Sequence, residues 1–277
     1  MKYNERNVLS IQGGETIVKD IPYPSVRILG STVNIVNIPT VVGFMDRCID
    51  EYRSGKHPCR QIVVTGFHGL WEAHKSPELK NILNSADMWI PDGIAPVWVA
   101  RKKGFPDADR TPGADVMKAF FEKADQSGYR SFFYGDTDET LAQLKSRLEE
   151  KYPGHQVVGM YSPPFRQLSD EEDRQIVDMI NDAKPDVLWV GLGMPKQDRW
   201  IYEHLDRLHM PLAIGVGAAF GFHSGKVTRV PEWIGRNGLE WVWRLACEPK
   251  KLWRRDILDG PRFIAHVLLE MTGLRKY

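Results

Sequence analysis

Residues 186–200, "DVLWVGLGMPKQDRW", pass from a wholly apolar run through a glycine-rich turn into polar residues at helical spacing. A strand without polar alternation is buried on both faces, as in a parallel sheet covered by helices. Pro195 suits the first position of the helix that follows, because its missing N–H would have been unpaired there anyway. The same grammar recurs outward in both directions. Apolar, β-branched or aromatic runs appear at "VRILGSTVNIV" (26–36), "QIVVTG" (61–66), "ADMWIPDG" (86–93), "SFFYGD" (131–136), "QVVGMYS" (156–162) and "LAIGVGAAF" (212–220). Helical stretches lie between most of them. "SPELKNILNSA" offers Ser76 as N-cap before Pro77, "GADVMKAFFEKADQSG" stops at Gly128, and Ser169 with Glu172 forms a capping-box pattern. Strands alternating with helices predict an α/β fold with a mainly parallel sheet.

Around this body, residues 1–25 are polar, contain Gly13-Gly14 and end in "IPYPS", which predicts a flexible N-terminal arm. Residues 26–235 form the expected α/β domain, and 236–277 a C-terminal helical appendage. The 277 residues are 42% apolar and 26% charged, with a net charge of +1, so no general field for nucleic acid is implied. The charge is uneven. From Arg236 onward nine Lys/Arg face five acids, leaving that tail at +4 and the rest at −3. Its Trp241, Trp243, Trp253 and Phe263 alternate with basic residues, a composition suited to a helix on an anionic membrane surface; an amphipathic helix docked on the sheet is the other reading. Three widely spaced cysteines, Cys48, Cys59 and Cys247, indicate neither a disulfide framework nor a zinc site. No apolar stretch reaches the length of a membrane span, and the N-terminus has no signal-peptide core, so a cytoplasmic protein is expected.

In an open α/β sheet, ligands bind beyond the carboxyl ends of the strands. Those ends collect Thr65 to His68, Asp92-Gly93, Gly135-Asp136-Thr137-Asp138, Gly191 to Gln197 and Gly215 to Ala219. Asp92 closes an apolar strand and could act as a proton acceptor, or merely form an Asp-Gly turn or cap the next helix. Lys196 and Gln197 fall in a first helical turn beside free amides, where an anion would be welcome, although a solvated first turn would look the same. "GVGAAFG" approaches the dinucleotide fingerprint, but Phe220 replaces the third small residue. The triplets Asp107-Ala108-Asp109 and Asp136-Thr137-Asp138 are weak candidates for a metal clamp. His68 and His223 read as structural on sequence alone.

Taken in order, "TGFHGLWEAH", "ADMWIPDGIAPVW", "RTPGADVM", "FFYGD", "YPGHQVVGMYSPPF", "VLWVGLGMPKQDRWI", "IGVGAAFGFHSGKVTRVPEWI" and "GLEWVWRLACEPKKLWRR" resemble the WecG/TagA/CpsF glycosyltransferase family over roughly residues 30–262. The resemblance implies a Rossmann-like fold and an inverting, metal-independent transfer from a UDP-sugar to a polyprenyl-diphosphate-linked saccharide. The work would be done at the inner face of the membrane, with no cofactor. It makes Asp92 the general base, with Thr65 lining the pocket and Arg110 and Gln197 holding the donor. Gly135, Gly191, Gly193, Gly215, Gly217, Lys196 and Arg229 join the substrate side. Arg244, Arg254 and Arg255 of the tail are expected to close over the diphosphate. Where the family commonly has T-x-N, this chain reads Gly66-Phe67-His68, so His68 takes the place of a sugar-contacting residue and the donor sugar stays open. The family also allows self-association. Two rival readings remain, a nucleotide-dependent oxidoreductase and a non-enzymatic sensor of nucleotide sugars at the membrane surface.

Overall fold

A computed structural model describes residues 8–12, 15–19, 23–55, 58–228, 230, 240–247 and 249–277. Strands β1 (Val8–Gln12) and β2 (Glu15–Lys19), within the stretch read as an arm, pair as an antiparallel ribbon. A second hairpin, β3 (Ser25–Ile28) and β4 (Ser31–Asn34), follows. The first long helix, α1 (Ile38–Arg53), is capped by Asn37, whose side chain accepts from the Thr40 amide.

The body consists of β5 (Arg60–Thr65), α2 (Phe67–Lys75), α3 (Pro77–Ser85), β6 (Met88–Pro91), α4 (Ile94–Lys102) and α5 (Gly113–Ser127). It continues through β7 (Arg130–Gly135), α6 (Asp138–Lys151), β8 (Gln156–Tyr161), α7 (Asp170–Asp182), β9 (Val187–Gly191), α8 (Lys196–His204), β10 (Leu212–Gly215) and α9 (Ala219–Ser224). Strands β5 to β10 form one six-stranded sheet in the order β6-β5-β10-β9-β7-β8, every pair parallel. The expected α/β fold is what forms. Its helix boundaries follow the capping signals: Ser76 caps α3, Ser169 and Glu172 close the capping box of α7, and Gly128 ends α5 in the left-handed conformation.

Successive strand residues alternate between two cores. Ile62, Val64, Trp189, Leu212 and Ile214 face the layer of α1, α5, α6 and α9. Val63 and Trp89 face α2, α3 and α4, while Leu188, Val190 and Ala213 face α7 and α8. The helix after β10 thus leaves toward one face, and those after its neighbours β5 and β9 leave toward the other. Such divergence opens a crevice at the strand ends.

The stretch 26–36 departs from expectation: it is not a strand of the main sheet. Leu29 and Gly30 both take positive φ, 49° and 82°, the backbone of a tight hairpin turn, so the run folds back on itself. The hairpin then guards the sheet edge, because Asn34 Oδ1 accepts from the Trp89 amide of β6 at 2.8 Å.

The tail forms α10 (Glu240–Cys247), α11 (Pro249–Trp253), a π-helical turn (Arg254–Asp259) and α12 (Gly260–Met271). One side of α12 is docked: Phe263 and Val267 are buried with Leu29, Trp71 and Val97, and the Phe263 ring lies 5.9 Å from Phe67. Glu270 accepts from the Leu29 amide and pairs with Lys103 at 3.1 Å. The other side leaves Ile264, Leu268, Met271 and, just beyond, Leu274 exposed. The docked reading therefore describes one face of α12, while the opposite face is apolar and exposed. Among the described residues no helix is long and apolar enough to cross a membrane.

Candidate active site

Strands β5 and β6 end side by side, with Thr65 opposite Pro91. The Asp92 amide donates to the Thr65 carbonyl at 3.3 Å, and the Thr111 amide to that of Pro91 at 2.7 Å. These bonds hold Asp92 at the crevice, half-buried. Its Oδ1 accepts from the Gly113 amide at 2.9 Å, in the first turn of α5. The N-cap of α4 is Gly93, which makes no side-chain cap bond, so Asp92 is not the cap of the helix that follows it. A carboxylate at a helix start is favoured by the free amides and the dipole, and the bond to Gly113 fixes its orientation.

Close backbone approach builds this corner. A Cβ on Gly66 would lie 3.4 Å from the Gly93 nitrogen, and one on Gly69 of α2 only 2.1 Å from Thr65 Oγ1. Thr65 is accordingly 7% exposed, seated beneath α2. An isolated glycine inside the helical stretch "FHGLWEAHK" is the sequence signal for such a contact.

Across the crevice, the loop after β10 is tied to α8. Gln197 is 2% exposed, and its Oε1 accepts from the Gly217 amide at 2.9 Å. The peptide bond between Met194 and Pro195 is cis. Phe220 is fully buried, its ring 5.5 Å from that of Phe133 and against the backbone of Gly191. That aromatic filling leaves no third small-residue position for a dinucleotide pyrophosphate.

This frame of an edge-strand aspartate facing a glycine-lined loop can be set beside known proteins. Residues 26–277 match the model of the glycosyl transferase WecG/TagA/CpsF family. The chain belongs to this family. It is 34% identical over 198 residues to a Bacillus spizizenii protein, covering 72% of this chain and 74% of the relative. A Bacillus subtilis relative is 32% identical over 252 residues, 89% of this chain and 94% of its own. A Staphylococcus aureus relative is 27% identical over 62% of this chain and 66% of its own. All three are named N-acetylglucosaminyldiphosphoundecaprenol N-acetyl-β-D-mannosaminyltransferases.

The fold brings some of the expected residues toward the Asp92 corner and places others elsewhere on the rim. Arg110 precedes Thr111, whose amide is bound to the Pro91 carbonyl at the end of β6, so its backbone comes near the strand end that carries Asp92. His68 lies in the first turn of α2, with Nδ1 buried and 3.8 Å from Glu72 Oε1. Burial, opposed by Glu72 and aided by Arg255, holds its imidazole below the ordinary pKa. Arg255 reaches the same helix end, its guanidinium 6.0 Å from the Phe67 ring centre. Arg254 instead stacks over its neighbour Trp253. Arg229 and the Arg244 side chain lie outside the described residues.

Several rim glycines have the space that a Cβ would take filled by protein. A Cβ on Gly135 would lie 2.5 Å from the Gly191 carbonyl carbon, one on Gly191 2.7 Å from the Phe220 ring, and one on Gly215 2.8 Å from Gln197 Nε2. Gly193 and Gly217 are different in having little around them; both take positive φ, 79° and 52°, as Gly135 does at 124°. Lys196 is exposed at the start of α8. Within the aspartate triplets, Asp136 Oδ1 accepts from the Thr137 amide and lies 3.8 Å from Lys226 Nζ, while Asp107 and Asp109 are exposed. His223 Nε2 is 2.8 Å from the Ala114 carbonyl, joining α9 to α5.

Sequence reasoning passed over Asp198, which is 1% exposed with neither carboxyl oxygen hydrogen-bonded among the described residues. Burial pushes its pKa up to about 7. Its carbonyl accepts from Gln61 Nε2 at 3.2 Å, which pins the first turn of α8, and hence Gln197, to β5.

Proposed function

We propose that the protein transfers a sugar, with inversion and without a metal ion, from a UDP-sugar to a hydroxyl of a polyprenyl-diphosphate-linked saccharide. The single observation that carries this reading is Asp92, oriented at the strand ends by the Gly113 and Thr65 backbone. In a single displacement the acceptor hydroxyl must lose its proton while the glycosidic bond to UDP breaks. A fixed carboxylate acts as the base, and charge on the departing diphosphate is met by preorganised cations. Arg110, near the strand end that carries Asp92, and Arg255 at the end of α2 supply that charge. The names of the relatives support a lipid-diphosphate acceptor and make N-acetylmannosamine the first donor to try.

The test is transfer from a panel of UDP-sugars, UDP-N-acetylmannosamine first, to N-acetylglucosaminyl-diphosphoundecaprenol in liposomes, with EDTA throughout. Transfer with release of UDP is expected for at least one donor. Failure of every UDP-sugar to react or to raise the melting temperature, with a rise on adding NAD(H), would replace this reading by the oxidoreductase.

The lipid acceptor gives the appendage its task, at the cytoplasmic face of the membrane. The outer side of α12 carries Ile264, Leu268 and Met271, flanked by exposed Arg262, Arg275 and Lys276. Apolar area plus basic residues is what holds a helix in an anionic interface. Ile264→Asp with Leu268→Asp is expected to abolish flotation with anionic liposomes. Phe263 and Val267 stay docked, so the melting temperature should hold. Undiminished flotation would defeat the membrane assignment. Deleting residues 236–277 is a poorer experiment, because it would also uncover Trp71 and Leu29.

A further inference from the structure

The π-helical turn at Arg254–Asp259 holds an unusual pair. Neighbouring side chains of an α-helix diverge and do not face each other. Here Arg255 Nε donates to Asp256 Oδ1 at 2.6 Å and Arg255 Nη2 to Oδ2 at 3.0 Å, a two-bond fork between consecutive residues. The Asp256 side chain is 1% exposed, and no other hydrogen-bond partner for it is found among the described residues. A carboxylate so deeply buried is costly unless it is paired, so the fork fixes both residues. π-Helical turns within α-helices occur frequently at functional sites.

The fork also sets a direction. A guanidinium has five N–H donors. Two are spent on Asp256, which leaves both hydrogens of Nη1 and one of Nη2 without a partner among the described residues. The group is 22% exposed and lies over the ring of Phe67, the residue before His68. Phe67 opens α2 two residues after Thr65, whose carbonyl holds the Asp92 amide. Arg255 thus packs on the start of the helix that leaves the end of β5, the strand whose neighbour β6 ends at Asp92.

We infer that Asp256 is a positioning residue for sugar transfer, holding Arg255 by a two-bond fork so that the free edge of its guanidinium meets the departing diphosphate. This rests on the transferase reading above and adds to it a residue that touches no substrate. A salt-bridge partner of purely structural use would lower stability without a selective effect on the reaction.

The experiment is a double-mutant cycle on the full-length chain. Turnover is measured per folded molecule with the most active UDP-sugar from the donor panel and N-acetylglucosaminyl-diphosphoundecaprenol, beside thermal melts. Asp256→Asn is expected to lower kcat by about tenfold to a hundredfold, as a misaimed group does, with KM for the UDP-sugar little changed. Asp256→Glu, which keeps the charge, should recover part of the loss. In an Arg255→Gln background, Asp256→Asn should add no further loss. A full additional loss in that background overturns the inference while leaving Arg255 in its role. So does a normal kcat per folded molecule in Asp256→Asn. Wild-type kcat in Arg255→Gln removes the arginine from the reaction, and Asp256 with it, without touching the transferase reading. That larger reading fails only if the unaltered chain transfers no sugar.

Discussion

Asp92→Asn is expected to lower turnover by roughly two to four orders of magnitude, the usual contribution of a general base. The substitution is nearly isosteric, and the retained amide oxygen can still accept from Gly113, so the bond that orients residue 92 survives. The amide has no basicity to offer the acceptor hydroxyl. The bond from the residue 92 backbone to Thr65 is unaffected, so the melting temperature and UDP binding should stay near those of the unaltered protein. Single-turnover transfer and calorimetric UDP titration on the same sample separate the two effects. Turnover close to normal would take the base role from Asp92. Lost turnover together with lost UDP binding would mean that the side chain holds the donor instead.

Gly69→Ala should damage the protein through a single methyl group. Alanine in place of an interior helical glycine ordinarily stabilises by about 0.5–1 kcal/mol. At this position the new Cβ would stand 2.1 Å from Thr65 Oγ1, 2.5 Å from its Cγ2 and 2.8 Å from its Cβ. No rotamer of Thr65 escapes all three, so α2 or the end of β5 must move. Overpacking of this kind costs about 1–3 kcal/mol, enough to reverse the helix gain. For a chain of this size the net loss corresponds to a fall of several degrees, at about 2–4 °C per kcal/mol, in a thermal melt. Activity should fall further than stability, by about tenfold or more, because the displaced Thr65 carbonyl is what holds the Asp92 amide. Gly43→Ala, on α1 with nothing within 4 Å of the new carbon, is the matched control and should be neutral or stabilising. If both variants behave alike, α2 is not seated on Thr65 as described.

The main sheet was legible because its strands are apolar throughout and its helices carry their own stop and start signals: Ser76, Pro77, Gly128, Ser169 with Glu172. These are local features, visible in a few residues of chain. The hairpin at 26–36 was not, since its β-branched residues suit any sheet and the clasp from Asn34 to Trp89 joins residues distant in sequence. At the site, Asp92 and Thr65 were marked by position, each ending an apolar run. The glycines were harder. A glycine that admits a ligand and one that admits another backbone look identical in sequence, for each is only a missing Cβ. The space a Cβ would take is filled at Gly135 by the Gly191 backbone, and at Gly191 and Gly215 by the Phe220 and Gln197 side chains. Asp256 was hidden differently, as one acid in a charged run whose pairing depends on a π turn that no spacing rule predicts. The deep burial of Asp198 likewise comes from the seating of α8 on β5, which its polar neighbours in "PKQDRW" do not suggest.

The crowding of these glycines limits how this pocket can be altered, by selection or by design. At Gly135, Gly191 and Gly215 even a methyl group runs into the framework, so diversity there is closed off. Gly193 and Gly217 have room for a side chain, but their backbone angles of 79° and 52° exclude branched and bulky residues. Asparagine and aspartate tolerate that geometry best. Among these five glycines, the alphabet open to change at the strand ends is thereby reduced to two positions and a few polar letters, and larger changes must come from elsewhere on the rim, such as the loop at Arg110 and the first turn of α2.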